Sequence, residues 1–233
     1  LSALPGVTEV AVALHVPLTT PGFEMEVVAG DEEGRPTVTA ARNVASSEYF
    51  RVMRIPLRDG RSFQPGDLRG MSAVALSERL ATNVFGTTDV VGRMLRRPGR
   101  DGSRGTSFRI VGVVGDVHGE RIEGGYVPTV YFPLLRDGDG LPDDSIVVEE
   151  PMDVQYVIRG SQLPAGATIQ GLAKDLDPRV PATNIRTLGS LVDDATARVR
   201  LTLLLIAVTG AAALLLGVIG VYSVVSYAAA GRV

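Results

Sequence analysis

From Leu201 to Gly231 the chain reads LTLLLIAVTGAAALLLGVIGVYSVVSYAAAG, without a single Asp, Glu, Lys, Arg or His. No other feature limits the possible folds so sharply. A bilayer core of ~30 Å needs roughly 20 apolar residues at 1.5 Å rise each, and Leu201 to Tyr227 would reach roughly 40 Å as a helix. Buried helices of soluble cores rarely run that long without a charge. The run therefore predicts one membrane-spanning α-helix, with Tyr222 and Tyr227 at an interfacial depth and Arg198 and Arg200 closing the other end. Those two arginines precede the run and only Arg232 follows it, so the visible charges alone would place residues 1–200 in the cytoplasm. The chain also opens on Leu1 rather than Met, as a piece of a longer protein would. Charges on the far side then lie outside the count, and it does not decide orientation.

Within the run, Gly210, Ala213, Gly217 and Gly220 recur at spacings of three, four and three. These spacings put four small residues on one helix face, a seam along which another helix can approach backbone to backbone.

The preceding 200 residues read as mixed α and β. Val7 to Val16 is apolar, β-branched and closed by Pro17. Phe23 to Val28 alternates apolar and acidic residues, and Thr37 to Val44 is its expected hairpin partner across the turn Asp31 to Gly34. Ser46 or Ser47 is placed to cap a short helix ending before Pro56. Leu57 to Gly70, punctuated by glycines and Pro65, reads as loop. A strand at Ala73–Leu76 precedes a helix at Ser77–Phe85 with Ser77 as its N-cap. Arg96 to Gly105 reads as a basic hairpin tip, and Phe108 to Val117 as the strongest strand, with Tyr126 to Phe132 returning beside it. Residues 136–145 form an acidic linker, Ile146 to Ile158 supply one or two strands, Thr168 to Leu176 a helix, and Asn184 to Thr187 a last strand. From Leu188 a helix is expected to continue unbroken into the apolar run.

Little here supports catalysis. The net charge is −3, without the basic surplus a nucleic-acid binder needs. Cys is absent, which removes thiolate metal sites and cysteine nucleophiles. Gly112-Val113-Val114-Gly115-Asp116 lacks the third glycine and following helix of a dinucleotide loop. The lone lysine, Lys174, is followed by Asp175, so no phosphate-binding Lys-Ser/Thr pair exists. Asp116, His118 and Glu120 could share one side of a strand as a metal site, but Gly115 and Gly119 favour a solvated turn. Adjacent carboxylates such as Asp143-Asp144, Glu149-Glu150 and Asp193-Asp194 point apart, and no Gly-x-Ser-x-Gly elbow is present. The expectation is a protein with no catalytic, cofactor or metal site.

A set of short motifs carries a more specific signal. Asn43-Val44-Ala45-Ser46, Glu48-Tyr49-Phe50, Ile55-Pro56-Leu57, Gly60-Arg61 with Phe63, and Asp67 follow one another in order. Val90-Val91-Gly92, the Phe108–Val117 strand with Gly112, Gly115 and Asp116, Tyr131-Phe132-Pro133-Leu134 and Leu176-Asp177-Pro178 come later, and Gly220-Val221-Tyr222-Ser223 with Ser226-Tyr227 close the series. Together they resemble the extracytoplasmic core of MacB-type, FtsX-like ABC-exporter permeases. The likeness spans nearly the whole chain and is greatest to the acidobacterial duplicated orphan permeases. It stops at Arg232, the first residue of the Arg-Thr-Arg-Glu-Ile-Gly coupling segment usual in the family.

The resemblance implies an α+β, two-lobed extracytoplasmic domain followed by one transmembrane α-helix. Residues 1–67 and 141–190 would form a porter-like lobe, 68–140 an inserted lobe, and 191–231 the stalk and membrane helix. Residues 1–200 would lie outside a bacterial inner membrane. The implied function is that of a permease subunit which transmits the motion of a cytoplasmic ABC ATPase to the periplasmic lobes. It would act beside other permease helices, in a dimer, with a periplasmic adaptor and outer-membrane channel as further partners. Two alternatives stay open. One is an FtsX-like regulator of a cell-wall hydrolase. The other is a single-anchor extracytoplasmic sensor or binding domain, against which the small-residue seam argues.

Overall fold

A computed structural model describes residues 1, 4–19, 23–30, 36–68, 73–99, 105–119, 125–134, 154–176 and 182–230. By contacts they divide into two units, Leu1–Ile185 and Arg186–Val233.

The first unit is built on a nine-stranded sheet. Its strands are β1 (Val7–Ala13), β2 (Phe23–Ala29), β3 (Val38–Ala45), β4 (Leu57–Gly60), β5 (Ala73–Ser77), β6 (Met94–Arg97), β7 (Thr106–Val114), β8 (Thr129–Pro133) and β9 (Gln155–Gly160). Three helices accompany them: α1 (Tyr49–Met53), α2 (Glu78–Phe85) and α3 (Gly166–Leu176). The strand path runs β2-β6-β7-β5-β8-β3, and β2 also pairs with β3, so six strands close on themselves. Closure satisfies the edges that an open sheet would leave unpaired. β1 and β9 extend the sheet from β3, and β4 adds to β7.

Strand alternation sorts the side chains between two cores. Inside the ring lie Val27 of β2, Val44 of β3, Leu76 of β5, Leu95 of β6, Ile110 of β7 and Phe132 of β8. Helix α2 contributes Leu80, Ala81, Val84 and Phe85 to this interior. Neighbouring positions face outward into a second core: Ala75 of β5, Val111 of β7 and Tyr131 of β8, covered by Tyr49, Phe50 and Val52 of α1.

Several expectations change. Leu57–Gly60 is a strand, because antiparallel pairing with β7 supplies hydrogen bonds that no local signal reveals, and Pro65–Leu68 is a 3-10 turn. Asn184–Thr187 forms no strand. β8 does not lie beside β7; β5 sits between them, parallel to β7 and antiparallel to β8. Neither Ser46 nor Ser47 caps α1, whose N-cap is Glu48 without a side-chain bond, because the Ser46 hydroxyl accepts from the Val12 amide instead. The β2–β3 and β6–β7 hairpins form antiparallel pairs as expected. β3 runs parallel to β8 from Ala41↔Thr129 to Ala45↔Pro133. The turn at 31–34, the hairpin tip at 100–104, Glu120, the acidic linker, residues 146–153 and Asp177-Pro178 lie outside the described residues.

The second unit holds α4 (Leu188–Ala230), one uninterrupted helix. Within it, Thr202–Gly220 is long and apolar enough to cross a membrane, and none of its residues is buried in the protein.

Candidate functional site

The motif residues from Tyr49 to Asp67, with Gly112 and Gly115, converge on one place, the junction of α1, β4 and β7. α1 ends at Arg54, whose φ of +56° turns the chain, and the Ile55 amide donates back to the Phe50 carbonyl at 2.8 Å. Tyr49 and Phe50 enter the outer core, where Phe50 meets Tyr131 edge-on at 5.0 Å and Phe63 at 5.8 Å. Tyr49 donates its hydroxyl to the His15 carbonyl at 3.2 Å, and burial pushes its phenol well above the ordinary range. It stays a neutral donor.

From Pro56 the chain runs along β7. The Gly115 amide donates to the Pro56 carbonyl at 2.8 Å and the Arg61 amide to the Val111 carbonyl at 3.0 Å. Gly60 and Gly112 allow this approach. Gly60 has a φ of +72°, and a Cβ there would stand 2.4 Å from the Val111 oxygen; a Cβ on Gly112 would stand 2.4 Å from the Arg61 oxygen. The Arg61 guanidinium then forks onto Asp67 with two bonds of 2.5 and 2.9 Å, while Asp67 Oδ2 also accepts from the Gln64 amide at 2.8 Å. These bonds hold the Asp67 carboxyl below its usual range, the Arg61 hydrogen bond contributing most. A shallow cleft of about 430 Å³ opens here between Gly60, Arg61, Gly92 and Arg109. Its Arg61 is committed to Asp67.

Asp116, two residues past the C-terminal end of β7, accepts the Arg79 amide at 2.8 Å and so helps Ser77 cap α2. Of the Asp116, His118 and Glu120 set weighed in the sequence and set aside there for a solvated turn, Glu120 lies outside the described residues. His118 stacks on Tyr126 at 4.4 Å, and among the described residues no group of three or more His, Cys, Asp or Glu is placed to hold an ion.

Tyr49, Phe50, Pro56, Gly60, Arg61, Phe63, Asp67, Gly112, Gly115 and Asp116 therefore belong to one framework of close backbone approaches, aromatic packing and paired charge. Gly210, Ala213, Gly217 and Gly220 belong to the other unit, on α4. Two framework residues carried no signal in the sequence. Arg159 donates from Nε and a terminal nitrogen to the Val52 carbonyl, closing the C-terminal end of α1. Gln155 Oε1 accepts from the Val16 amide at 3.1 Å. Both bonds join residues more than a hundred positions apart, beyond the reach of any local pattern.

Residues 2–178 match the model of the MacB-like periplasmic core domain. Among solved structures, a domain of a putative permease protein from Porphyromonas gingivalis aligns at 16% identity, covering 82% of this chain and 84% of that one, with a TM-score of 0.50. The extracellular domain of the noncanonic ABC-type transporter YknZ from Gram-positive bacteria aligns at 17% identity over 80% and 84%, TM-score 0.49. The periplasmic region of MacB from Actinobacillus actinomycetemcomitans aligns at 18% over 75% and 70%, TM-score 0.49. At such identities the likeness is one of fold. No curated protein matches by sequence. The family match covers well over half of the residues, and the chain belongs to the MacB-like periplasmic core domain family.

Proposed function

We propose that this chain is the extracytoplasmic domain and following membrane helix of an ABC-type exporter permease, and that it works as a lever. The observation that carries the reading is α4, which runs from Leu188 to Ala230 without a break and holds an apolar span from Thr202 to Gly220. A helix of that length is roughly 65 Å long, and the part before the span roughly 20 Å. An unbroken helix is stiff, so a displacement at its membrane end is delivered to its other end as a rigid shift. A cytoplasmic ATPase on another chain or segment supplies the displacement, and residues 1–200 lie outside the bacterial inner membrane. The domain itself catalyses nothing. Gly210, Ala213, Gly217 and Gly220 form the face on which neighbouring permease helices of a dimer pack, and a periplasmic adaptor and an outer-membrane channel complete the path.

The test is to break the lever without removing it. Ala195→Pro in the intact transporter should leave membrane insertion and ATP hydrolysis in place while abolishing cargo export. Export at the wild-type rate would overturn the reading. A defect confined to cell-wall cleavage, with export intact, would instead identify the hydrolase-regulating alternative.

A further inference from the structure

One mouth of the six-stranded ring collects hydrogen-bond donors that have no acceptors among the described residues. Phe23 opposes Arg42 across the β2–β3 pair, and the positions that follow on the same face, Met25 with Ala40 and then Val27, belong to or pack against the interior core. Arg97 stands two residues beyond Leu95, which also faces that core. By alternation Phe23, Arg42 and Arg97 thus continue the inner face to its rim. The Arg42 guanidinium lies 5.5 Å from the centre of the Phe23 ring, and the His15 ring meets the same phenyl edge-on at 5.7 Å. Neither His15 ring nitrogen has a hydrogen-bond partner among the described residues, although both are buried.

Burial, and then the nearby Arg97 charge, pull Arg42 below the usual arginine range; burial, and then Arg42, lower His15. No carboxylate of the described residues pairs with Arg42 or Arg97. Proteins rarely leave buried donors and two like charges side by side without a compensating acceptor. Phe23 is 54% exposed, so an apolar surface flanks the donors.

We propose that Arg42, Arg97, His15 and Phe23 form a binding site for an amphipathic anion, a phosphate or carboxylate head group carried on a short apolar chain. The two guanidiniums take the oxyanion, His15 supplies an N–H, and Phe23 receives the first carbons of the chain. The site is a property of the folded domain and stands whether or not the lever reading of α4 holds.

Calorimetric titration of the whole chain in maltoside micelles tests this, with inorganic phosphate, hexyl phosphate and hexanol as separate probes and empty micelles as the blank. Hexyl phosphate should bind saturably, at least about tenfold more tightly than inorganic phosphate, and hexanol should not bind. Arg42→Gln and Arg97→Gln should each weaken hexyl phosphate about tenfold. Phe23→Ala, a change at an exposed ring, should reduce its affinity to that of inorganic phosphate. Circular dichroism checks each variant, and Arg42→Lys, which keeps the charge but not the fork, replaces Arg42→Gln should that variant fail to fold. The proposal is overturned by no saturable binding up to about 10 mM, by equal binding of the inorganic and alkyl phosphates, or by affinity that the folded arginine variants leave unchanged.

Discussion

At Gly112 a single added methyl group decides whether β4 can lie on β7. The Cβ of an alanine would stand 2.4 Å from the Arg61 carbonyl oxygen, a backbone atom that cannot swing aside. Gly112→Ala should therefore force the strands apart and cost about 2–4 kcal/mol, read as a lower denaturant midpoint of the whole chain. Asp67 makes a different kind of contribution. Its folded carboxyl titrates below the ordinary value, held there first by Arg61. Stability from such a group is present in full above the unfolded pKa, about 4, and is lost as pH falls through the folded one. The native protein should lose stability more steeply below about pH 4 than Asp67→Asn, whose curve should be flatter in that window. Near neutrality the variant should lose only about 1 kcal/mol, because the Arg61 side chain is 41% exposed and solvent screens the pair. Equal slopes in acid would show that the fork carries no linkage.

Ser77 shows what one residue does for two elements. Its hydroxyl oxygen accepts from the Leu80 amide at the start of α2 and also from the Thr129 amide where β8 begins, at 3.2 and 3.0 Å. The residue is wholly buried, so Ser77→Ala strands two amides away from water. The expected loss is about 2–3 kcal/mol, more than an exposed cap would give, measured by urea unfolding followed by circular dichroism. The first role was legible in the sequence, as Ser before a helical pattern; the second was not, because Thr129 lies on a distant strand. The same limit applied to β4, read as loop from its glycine and proline content. Leu57–Gly60 is exposed throughout and owes its strand conformation to pairing with β7, which composition does not encode. Ser46 misled in the opposite sense. A capping residue at the right spacing had a better partner in the Val12 amide. Alternating apolar strands and the long α4 were plain because their signals are local and repeated.

For the molecule as a whole, the family was readable because its motif residues hold one junction together, and a junction constrains sequence wherever backbones touch. What could not be read was ring closure, which depends on β2 pairing at once with β3 and β6, whose spacing along the chain says nothing of a shared neighbour. The small-residue face of α4 belongs to the same scale. A Cβ added at Gly210, Gly217 or Gly220 meets nothing within 4 Å. An added Cβ at these positions therefore meets no described atom, and by intrinsic propensity a leucine suits a helix better than glycine by about 0.8 kcal/mol. If the face receives a neighbouring membrane helix, Gly217→Leu removes the close approach that the seam permits. The variant should keep the unfolding midpoint of residues 1–185 and still insert in the membrane, while losing dimer assembly on a sizing column and export in cells. Assembly and export equal to wild type would show that the seam faces lipid, and the lever would then need no partner along that face.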